Sequence, residues 1–228
     1  MKVLNEDKAL VLFSGGQDST TCLYWALQQF KEVQALSIDY GQKHKIELEA
    51  ASTICKQAGV SLVIIPCSSL KQLGSSSLLE EDGVVDNEMS EDDNLPTTFV
   101  PGRNLLFLTI AAAFAYQRQI KNIVTGVCQT DYSGYPDCRS NTISALQNAL
   151  KLGMEADFSL YTPLMDLTKC ESIYLAEEVG AIDALAFTHT CYNGVFPPCG
   201  NCQACLLRAK GFLEAEKEDP LLQRAKQP

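Results

Sequence analysis

Long apolar runs and a surplus of positive charge are both missing from this chain of 228 residues. No stretch of eighteen apolar residues occurs, so the sequence predicts no membrane-spanning helix. The first eight residues lack the apolar core of a secretory signal, which favours a cytoplasmic protein. The formal net charge of −10 is the opposite of the basic character typical of nucleic-acid-binding proteins. We therefore expect neither a membrane nor a nucleic acid among its partners.

The negative charge is concentrated in one segment. Eight carboxylates and no basic residue lie between positions 80 and 93, and the rest of the chain is nearly balanced. They belong to a serine- and acid-rich excursion, residues 68–94. A loop of this length without secondary structure is either functional or disordered. We interpret the excursion either as a flap over a site or as a solvated acidic loop without a role.

Four of the ten cysteines lie within fifteen residues near the end of the chain. In a chain this long without an export signal, thiols and a metal site are expected rather than disulfides. Cys191, Cys199, Cys202 and Cys205 have the spacing Cys-x7-Cys-x2-Cys-x2-Cys, with glycine and proline between them. Four thiolates without a vacant position predict a structural zinc site. An iron–sulfur cluster is the alternative, since it is also held by four thiolates.

Strand and helix patterns alternate along the chain. Short apolar runs predict strands at 9–13, 33–38, 60–65 and 122–127, and helices are predicted at 18–30, 43–58, 104–119, 141–151, 168–179 and 203–216. This alternation indicates an α/β fold with a mostly parallel twisted sheet and helices on both faces. Ligands in such folds bind at the carboxyl ends of the strands. We predict a nucleotide-binding domain over 1–165 and a small helical region with the cysteine cluster over 166–228.

A glycine-containing loop follows the first predicted strand. Gly15 and Gly16 allow a tight turn and close approach of a ligand, and free amides at the start of the next helix bind anions. Hydroxyl groups are added by three side chains, Ser14, Ser19 and Thr20. Asp18 is a carboxylate suited to magnesium beside phosphates. The loop lacks the lysine of the Gly-x-x-x-x-Gly-Lys-Ser/Thr motif and the Gly-x-Gly-x-x-Gly fingerprint. A glycine turn capped by Asp18 is the structural alternative.

The string Ser-Gly-Gly-Gln-Asp-Ser resembles the signature of the pyrophosphate-loop ATPases, the adenine nucleotide α-hydrolase type. That resemblance implies cleavage of ATP to AMP and pyrophosphate, with adenylation of a substrate oxygen. The ATP-binding residues that it implies are Phe13, Ser14, Gly15, Gly16, Gln17, Asp18, Ser19, Thr20, Thr21, Cys22, Leu23 and Asp39. Tyr40 and Gln42 follow Asp39 closely in the chain, at the position where the resemblance to the superfamily implies binding of the adenosine end of ATP. A turn after the second strand is the alternative for these three residues.

A second polar loop, residues 128–139, follows the strand that is predicted to end at position 127. Tyr132 and Tyr135 can stack on a flat heterocycle, and Asp131 or Asp137 can accept hydrogen bonds from the edge of a guanine-like base. Arg139 can grip a carboxylate with its two-pronged guanidinium. The loop thus predicts a substrate-binding site, although a rigid turn would have a similar composition.

Two further basic residues are candidates for contacts with anions. Arg103 precedes Asn104 at a predicted helix start, a position that suits an anion, and a capped turn with a solvated arginine is the alternative. Lys169 is a candidate to stabilise developing phosphate charge, or else a lysine that faces solvent. Together with Asp18 and Ser19, these two residues form the predicted catalytic set.

The motifs together resemble the 7-cyano-7-deazaguanine synthase family. The matching strings are 13–23, 39–42, 99–104, 125–139, 163–165 with Lys169, and 191–194 with Cys199, Cys202 and Cys205. The resemblance implies that 7-carboxy-7-deazaguanine and ammonia become the nitrile precursor of queuosine, with ATP and magnesium consumed as co-substrate and one structural zinc per chain. It implies small-molecule partners and leaves a homodimer open. A tRNA-modifying enzyme and a zinc-binding adaptor are rivals, disfavoured by the absent basic patch and by the complete phosphate loop.

Overall fold

The computed structural model describes residues 1–41, 46–67, 95, 98–130 and 135–226. Several sequence predictions lie outside the described residues: the acidic excursion 68–94, Gln42, Asp131 and Tyr132.

A parallel sheet of five strands forms the centre of the described fold. The strands are β1 (Asn5–Leu12), β2 (Glu32–Asp39), β3 (Ser61–Pro66), β4 (Ile120–Val124) and β5 (Ser159–Tyr161). Their order across the sheet is β3-β2-β1-β4-β5, and every neighbouring pair is parallel. The order reverses direction between β1 and β4, so a crevice opens beyond their carboxyl ends, where ligands of such folds bind.

Helices follow the strands along the chain. They are α1 (Gln17–Gln29), α2 (Ile46–Ala58), α3 (Arg103–Gln117), α4 (Ser140–Met154), α5 (Lys169–Glu178), α6 (Ile182–Leu185), α7 (Gln203–Glu214) and α8 (Pro220–Ala225). A short 3-10 helix, Pro136–Cys138, precedes α4. In the described part of the chain, no helix is long and apolar enough to cross a membrane.

The core divides into two layers because successive strand side chains point to opposite faces. Leu10 of β1 packs with residues of α3 and α4, among them Leu108 and Ile143. Its neighbour Val11 packs on the other face with residues of α1 and α2, among them Leu23 and Ile54. The predicted α/β sheet with helices on both faces is therefore confirmed.

The C-terminal helices build a third apolar cluster against α1. Ile173 of α5, Leu185 of α6 and Phe212 of α7 are buried together, and Trp25 of α1 packs against them. Gly211 brings α7 close to α5, since a Cβ at this position would lie 2.8 Å from the Cβ of Lys169. The division of the chain at residues 165 and 166 stays a prediction.

Some element boundaries differ from the sequence predictions. The first strand was expected at 9–13, but β1 begins at Asn5. The first half of β1 is polar and lies outside the core, so it has no apolar run that would predict a strand. β4 ends at Val124 and not at position 127. Three elements were not predicted: β5, α6 and α8 have three, four and six residues. Elements this short carry almost no periodic signal.

Candidate active site

A cleft of about 320 Å³ lies at the carboxyl ends of β1, β2 and β4. Residues directly after these strands line it, among them Ser14, Tyr40 and Thr125, and Arg103 of α3 and Lys169 of α5 close its sides. The fold therefore brings the phosphate loop, the start of α3 and the start of α5 together around one space.

The phosphate loop requires glycine at position 15. Gly15 has a φ of 83°, in the left-handed region, and an added Cβ would lie 2.6 Å from the carbonyl oxygen of Glu47 and 2.7 Å from the backbone nitrogen of Ala51. The backbone of the loop is thus in direct contact with the first turns of α2. Only a residue without a side chain fits both the backbone angle and the space.

The hydroxyl groups predicted for phosphate binding are held by the loop itself. Ser19 Oγ donates to Gly16 O at 3.1 Å and lies 3.1 Å from Ser14 Oγ. Thr20 Oγ1 also donates to Gly16 O, at 2.8 Å. These bonds fix the start of α1, and free amide groups at a helix start are able to bind an anion.

Lys169 and Asp18 form an ion pair inside the cleft. Lys169 Nζ lies 2.6 Å from Asp18 Oδ2, and a capping box between Thr168 and Glu171 fixes Lys169 as the first residue of α5. Within the described chain, Asp18 Oδ1 is buried and accepts no hydrogen bond. A buried carboxylate oxygen without a partner is costly, and a bound cation would satisfy it, so the site fits a divalent metal.

Six of the twelve predicted ATP-binding residues line the cleft. They are Phe13, Ser14, Gly16, Gln17, Asp18 and Ser19. Thr20, Thr21, Cys22 and Leu23 are buried in α1, and Cys22 Sγ lies 3.7 Å from Thr125 O. Asp39 Oδ1 accepts from Gly41 N at 3.1 Å. The resemblance therefore identifies the segment that carries the phosphate loop. The last four residues of that segment, 20–23, are buried in α1 and do not line the cleft.

An arginine flanked by tyrosines forms the opposite wall. The guanidinium carbon of Arg103 lies 6.0 Å from the ring centroid of Tyr40 and 5.8 Å from that of Tyr135. Tyr135 OH lies 2.6 Å from Thr98 Oγ1. Burial raises the pKa of Tyr40 to about 12, so this phenol stays neutral beside the cation. The wall offers aromatic faces and one fixed positive charge.

Asp137 and Arg139 of the second loop are not among the residues that line the cleft, whereas Tyr135 of the same loop is. Asp137 is buried and accepts from Asn104 N at 2.9 Å and from Asn104 Nδ2 at 3.0 Å. It thereby holds Asn104, which does line the cleft. Arg139 is exposed just before α4. The roles of Asp137 and Arg139 in substrate binding stay predictions.

The sequence analysis missed several cleft residues, among them Glu47 and His189. Glu47 lines the cleft on the first turn of α2, and burial raises the pKa of its carboxyl to about 7 against the opposing effect of Arg103. His189 donates its backbone N–H to Gly15 O at 3.0 Å, and its ring Nε2 lies 3.0 Å from Cys191 O. Neither belongs to a motif. Glu47 is one of several carboxylates on an amphipathic helix, and only the fold reveals its burial.

The four predicted metal ligands converge. One sulfur from each of Cys191, Cys199, Cys202 and Cys205 lies within 4.8 Å of the others. Four thiolates about 2.3 Å from one zinc ion stand roughly 3.8 Å apart, and the Cys199 and Cys205 sulfurs are 3.9 Å apart. Backbone N–H groups of Cys199 and Cys202 donate to Cys191 Sγ and Cys199 Sγ. The cluster is able to hold a metal ion, and none of the ten cysteines forms a disulfide in the structure.

The cysteine cluster adjoins the cleft through α7 and the segment before it. Tyr192 and Ala204, which neighbour Cys191 and Cys205, line the cleft, as does Arg208 one turn further along α7. Buried Arg208 donates to both carboxylate oxygens of Asp219, at 2.6 and 2.8 Å, and to Thr188 Oγ1 at 2.7 Å. A metal in the cluster would therefore stabilise one wall of the cleft.

Comparisons with known proteins agree on one family. Residues 8–216 match the family model described as queuosine biosynthesis protein QueC. The chain is 54% identical to the 7-cyano-7-deazaguanine synthase of Chromobacterium violaceum over 98% of this chain and 97% of that protein. It is 58% identical to the enzyme of the same name from Laribacter hongkongensis, over 96% of this chain and 95% of that protein. A third relative of that name, from Clostridium acetobutylicum, is 52% identical over 94% and 97%.

Proposed function

The chain belongs to the QueC family of queuosine biosynthesis proteins, and from that premise we propose that its cleft converts 7-carboxy-7-deazaguanine and ammonia into 7-cyano-7-deazaguanine with ATP. The single observation that carries the proposal is the meeting of the Asp18–Lys169 pair with the Arg103 wall in one cleft. The first group suits a nucleoside triphosphate, and the second suits an anionic aromatic substrate.

The chemistry requires the same activation twice. A carboxylate is a poor electrophile, so its oxygen attacks the α-phosphorus of ATP and pyrophosphate leaves. Ammonia then displaces AMP from the acyl adenylate and forms the amide. Adenylation of the amide oxygen by a second ATP, followed by loss of AMP and of the remaining N–H protons, gives the nitrile. Both activations depend on positioning and on neutralising phosphate charge.

We assign the phosphate end to the loop and to α5. The amides at the start of α1, with Ser14 and Ser19, would bind pyrophosphate. Lys169 would leave its pair with Asp18 to stabilise the charge that develops on the transferred phosphate. Asp18 would then hold magnesium, which supplies charge neutralisation for the triphosphate; its unpartnered Oδ1 supports this assignment.

We assign the substrate base to the wall that carries Arg103. Tyr135 offers a ring face, and Arg103 offers a guanidinium for the carboxylate or for the adenylate phosphate. Asp137 would act through Asn104, which it positions with two hydrogen bonds. Direct contacts from Asp131, Tyr132 and Arg139 remain part of the proposal.

The remaining assignments follow from the family and from the cysteine cluster. Four converging thiolates support one structural zinc ion per chain. We expect a cytoplasmic enzyme whose partners are ATP, ammonia and the carboxy base, without nucleic acid, and a homodimer is the assembly that we consider. The nucleotide-binding part would extend over 1–165 and the zinc-binding helical part over 166–228.

Pyrophosphate release tests the proposal. With ATP and magnesium, we expect release only when 7-carboxy-7-deazaguanine is present, and sustained turnover only when ammonium is added. 7-Deazaguanine, which has the same ring without the carboxylate, is the matched control and should elicit none. Release that is independent of the carboxy base, or that requires tRNA, would contradict the proposal.

A further inference from the structure

Two carboxylates line the described part of the cleft, Asp18 and Glu47. Asp18 is paired with Lys169 and is committed to the phosphate end. Glu47, on the first turn of α2, lines the same cleft as Tyr40 and Arg103, and its carboxyl interacts electrostatically with both of them. The proposed reaction as assigned above gives this second carboxylate no task.

Glu47 is held at a fixed distance from the phosphate loop. Its carbonyl oxygen lies so close to Gly15 that a Cβ there would be only 2.6 Å away. The α2 backbone and the loop are therefore in direct contact, and Glu47 lines the same cleft as the loop. A substrate carboxylate that is adenylated at this loop would lie within the same cleft as the Glu47 side chain.

The groups around Glu47 keep their charge states near neutral pH. Tyr40, after β2, has its pKa raised to about 12 by burial, and burial also raises the pKa of Tyr192. Burial lowers the pKa of Arg103, at the start of α3, but the hydroxyl groups of the surrounding tyrosines and the Asp137 carboxylate raise it by more, so Arg103 remains a cation. Asp18 and Lys169 form an ion pair in the same cleft. Glu47, with a pKa of about 7, is suited to exchange a proton near neutral pH.

Nitrogen must lose protons repeatedly in the proposed reaction. Ammonium carries no lone pair, so one proton has to leave before nitrogen attacks the acyl adenylate, and a second leaves as AMP departs and the amide forms. The two remaining N–H protons leave when the adenylated amide becomes the nitrile. A general base works best when its pKa lies near the working pH, and an ionised carboxylate beside aromatic rings also attracts a small cation.

We propose that Glu47 binds the ammonium ion and accepts the protons that nitrogen loses on the way to the amide and the nitrile. This inference rests on the proposed function. The competing interpretation is a charge partner that holds Arg103 without taking part in proton transfer. The two interpretations differ in which half of the reaction they affect, since only the base is specific to the nitrogen steps.

The variant Glu47→Gln separates the two interpretations. Adenylation without ammonium is measured as exchange of labelled pyrophosphate into ATP in the presence of the carboxy base, and we expect it to stay within a few fold of wild type. Amide formation from ammonium should fall about 10²–10⁴-fold, the range for a lost general base. Hydroxylamine, which is largely unprotonated at neutral pH, needs no deprotonation before it attacks, so hydroxamate formation should fall by a much smaller factor than amide formation. The control Glu49→Gln, on the exposed side of the same helix, should leave all three rates unchanged.

Other results of these measurements would contradict either the inference or the proposed function. If exchange, amide and hydroxamate formation fall together in Glu47→Gln, or if amide formation is unaffected, the inference is overturned. If wild type shows no exchange that depends on the carboxy base, the proposed function itself has failed. If Glu47→Gln does not fold, the pH dependence of the wild-type enzyme tests the inference instead. At fixed total ammonium, the rate of amide formation should rise with pH and level off above about pH 7, where Glu47 is ionised. A rate that keeps rising tenfold per pH unit past that point would report free ammonia alone and would overturn the inference.

Discussion

Lys169 Nζ lies 2.6 Å from Asp18 Oδ2, although 151 residues separate the two in the chain. Asp18 opens α1 after the first strand, and Lys169 opens α5, beyond the last strand of the sheet. The phosphate site is therefore complete only when the C-terminal helices are packed on α1. The pair also keeps Asp18 from being an isolated buried charge in the absence of ligand.

The first expectation concerns this carboxylate. Asp18→Asn should still bind the carboxy base, because we assign the base to the wall that carries Arg103 and assign Asp18 to the phosphates. It should lower kcat about 10²–10³-fold, as expected for the loss of one group that stabilises developing charge. Steady-state kinetics at saturating magnesium measure this change, with Asp183→Asn on the exposed face of α6 as the control. Turnover close to wild type would remove Asp18 from the mechanism.

The second expectation compares two glycines with positive φ. Gly59→Ala has no atom within 4 Å of the new Cβ, so it should cost only the left-handed backbone strain of roughly 1–2 kcal/mol. Gly15→Ala adds a clash with two backbone atoms of α2 and should cost about 1–3 kcal/mol more. Urea unfolding measures the free energy of both variants. Equal losses would show that the close contact between the loop and α2 is not needed.

Most of the fold was predictable because its signals are local. Buried parallel strands appear as apolar runs, and helices with one apolar face show a 3.6-residue period. The phosphate loop and the four cysteines could be identified because each is contiguous or nearly so in the chain. The three-residue β5 escaped notice because so short a strand has no pattern.

The rest of the site depends on contacts between distant segments. Glu47 lies in an ordinary amphipathic helix, and only the packing of α2 against Gly15 places it in the cleft. Asp131 or Asp137 was expected to bond to the base, and in the structure both oxygens of Asp137 accept hydrogen bonds from Asn104, a contact that the sequence did not indicate. Composition identified the loop as polar, but it could not say which polar groups bond to one another and which remain for a ligand.

The third expectation concerns the support of Asn104. In wild type, the two N–H donors of Asn104 each bond to one carboxylate oxygen of Asp137. Asp137→Asn replaces one of these oxygens with an NH2 group, which cannot accept, so Asn104 should shift from the cleft wall. The KM for the carboxy base should rise, while the KM for ATP should change little. Asn104→Ala should reproduce the same selective effect. A rise of both KM values by the same factor would instead point to general loosening of α3.

The fourth expectation concerns the cysteine cluster. Wild type should contain one zinc ion per chain by elemental analysis, and Cys202→Ser should be poorly soluble or unstable, because Cys202 is fully buried among the other thiols. Cys170→Ser, outside the cluster on α5, is the matched control and should keep both its zinc and its stability. A Cys202→Ser protein that stays folded and zinc-loaded yet inactive would mean that the thiolates take part in turnover.

The most direct test of the account is mass spectrometry of the product formed by wild type from 7-carboxy-7-deazaguanine, ATP and ammonium. We expect the nitrile, with two AMP and two pyrophosphate per product molecule, and incorporation of label from ¹⁵N-ammonium. Product that stops at the amide, or nitrile formed with a single AMP, would contradict the two activations assigned to this cleft.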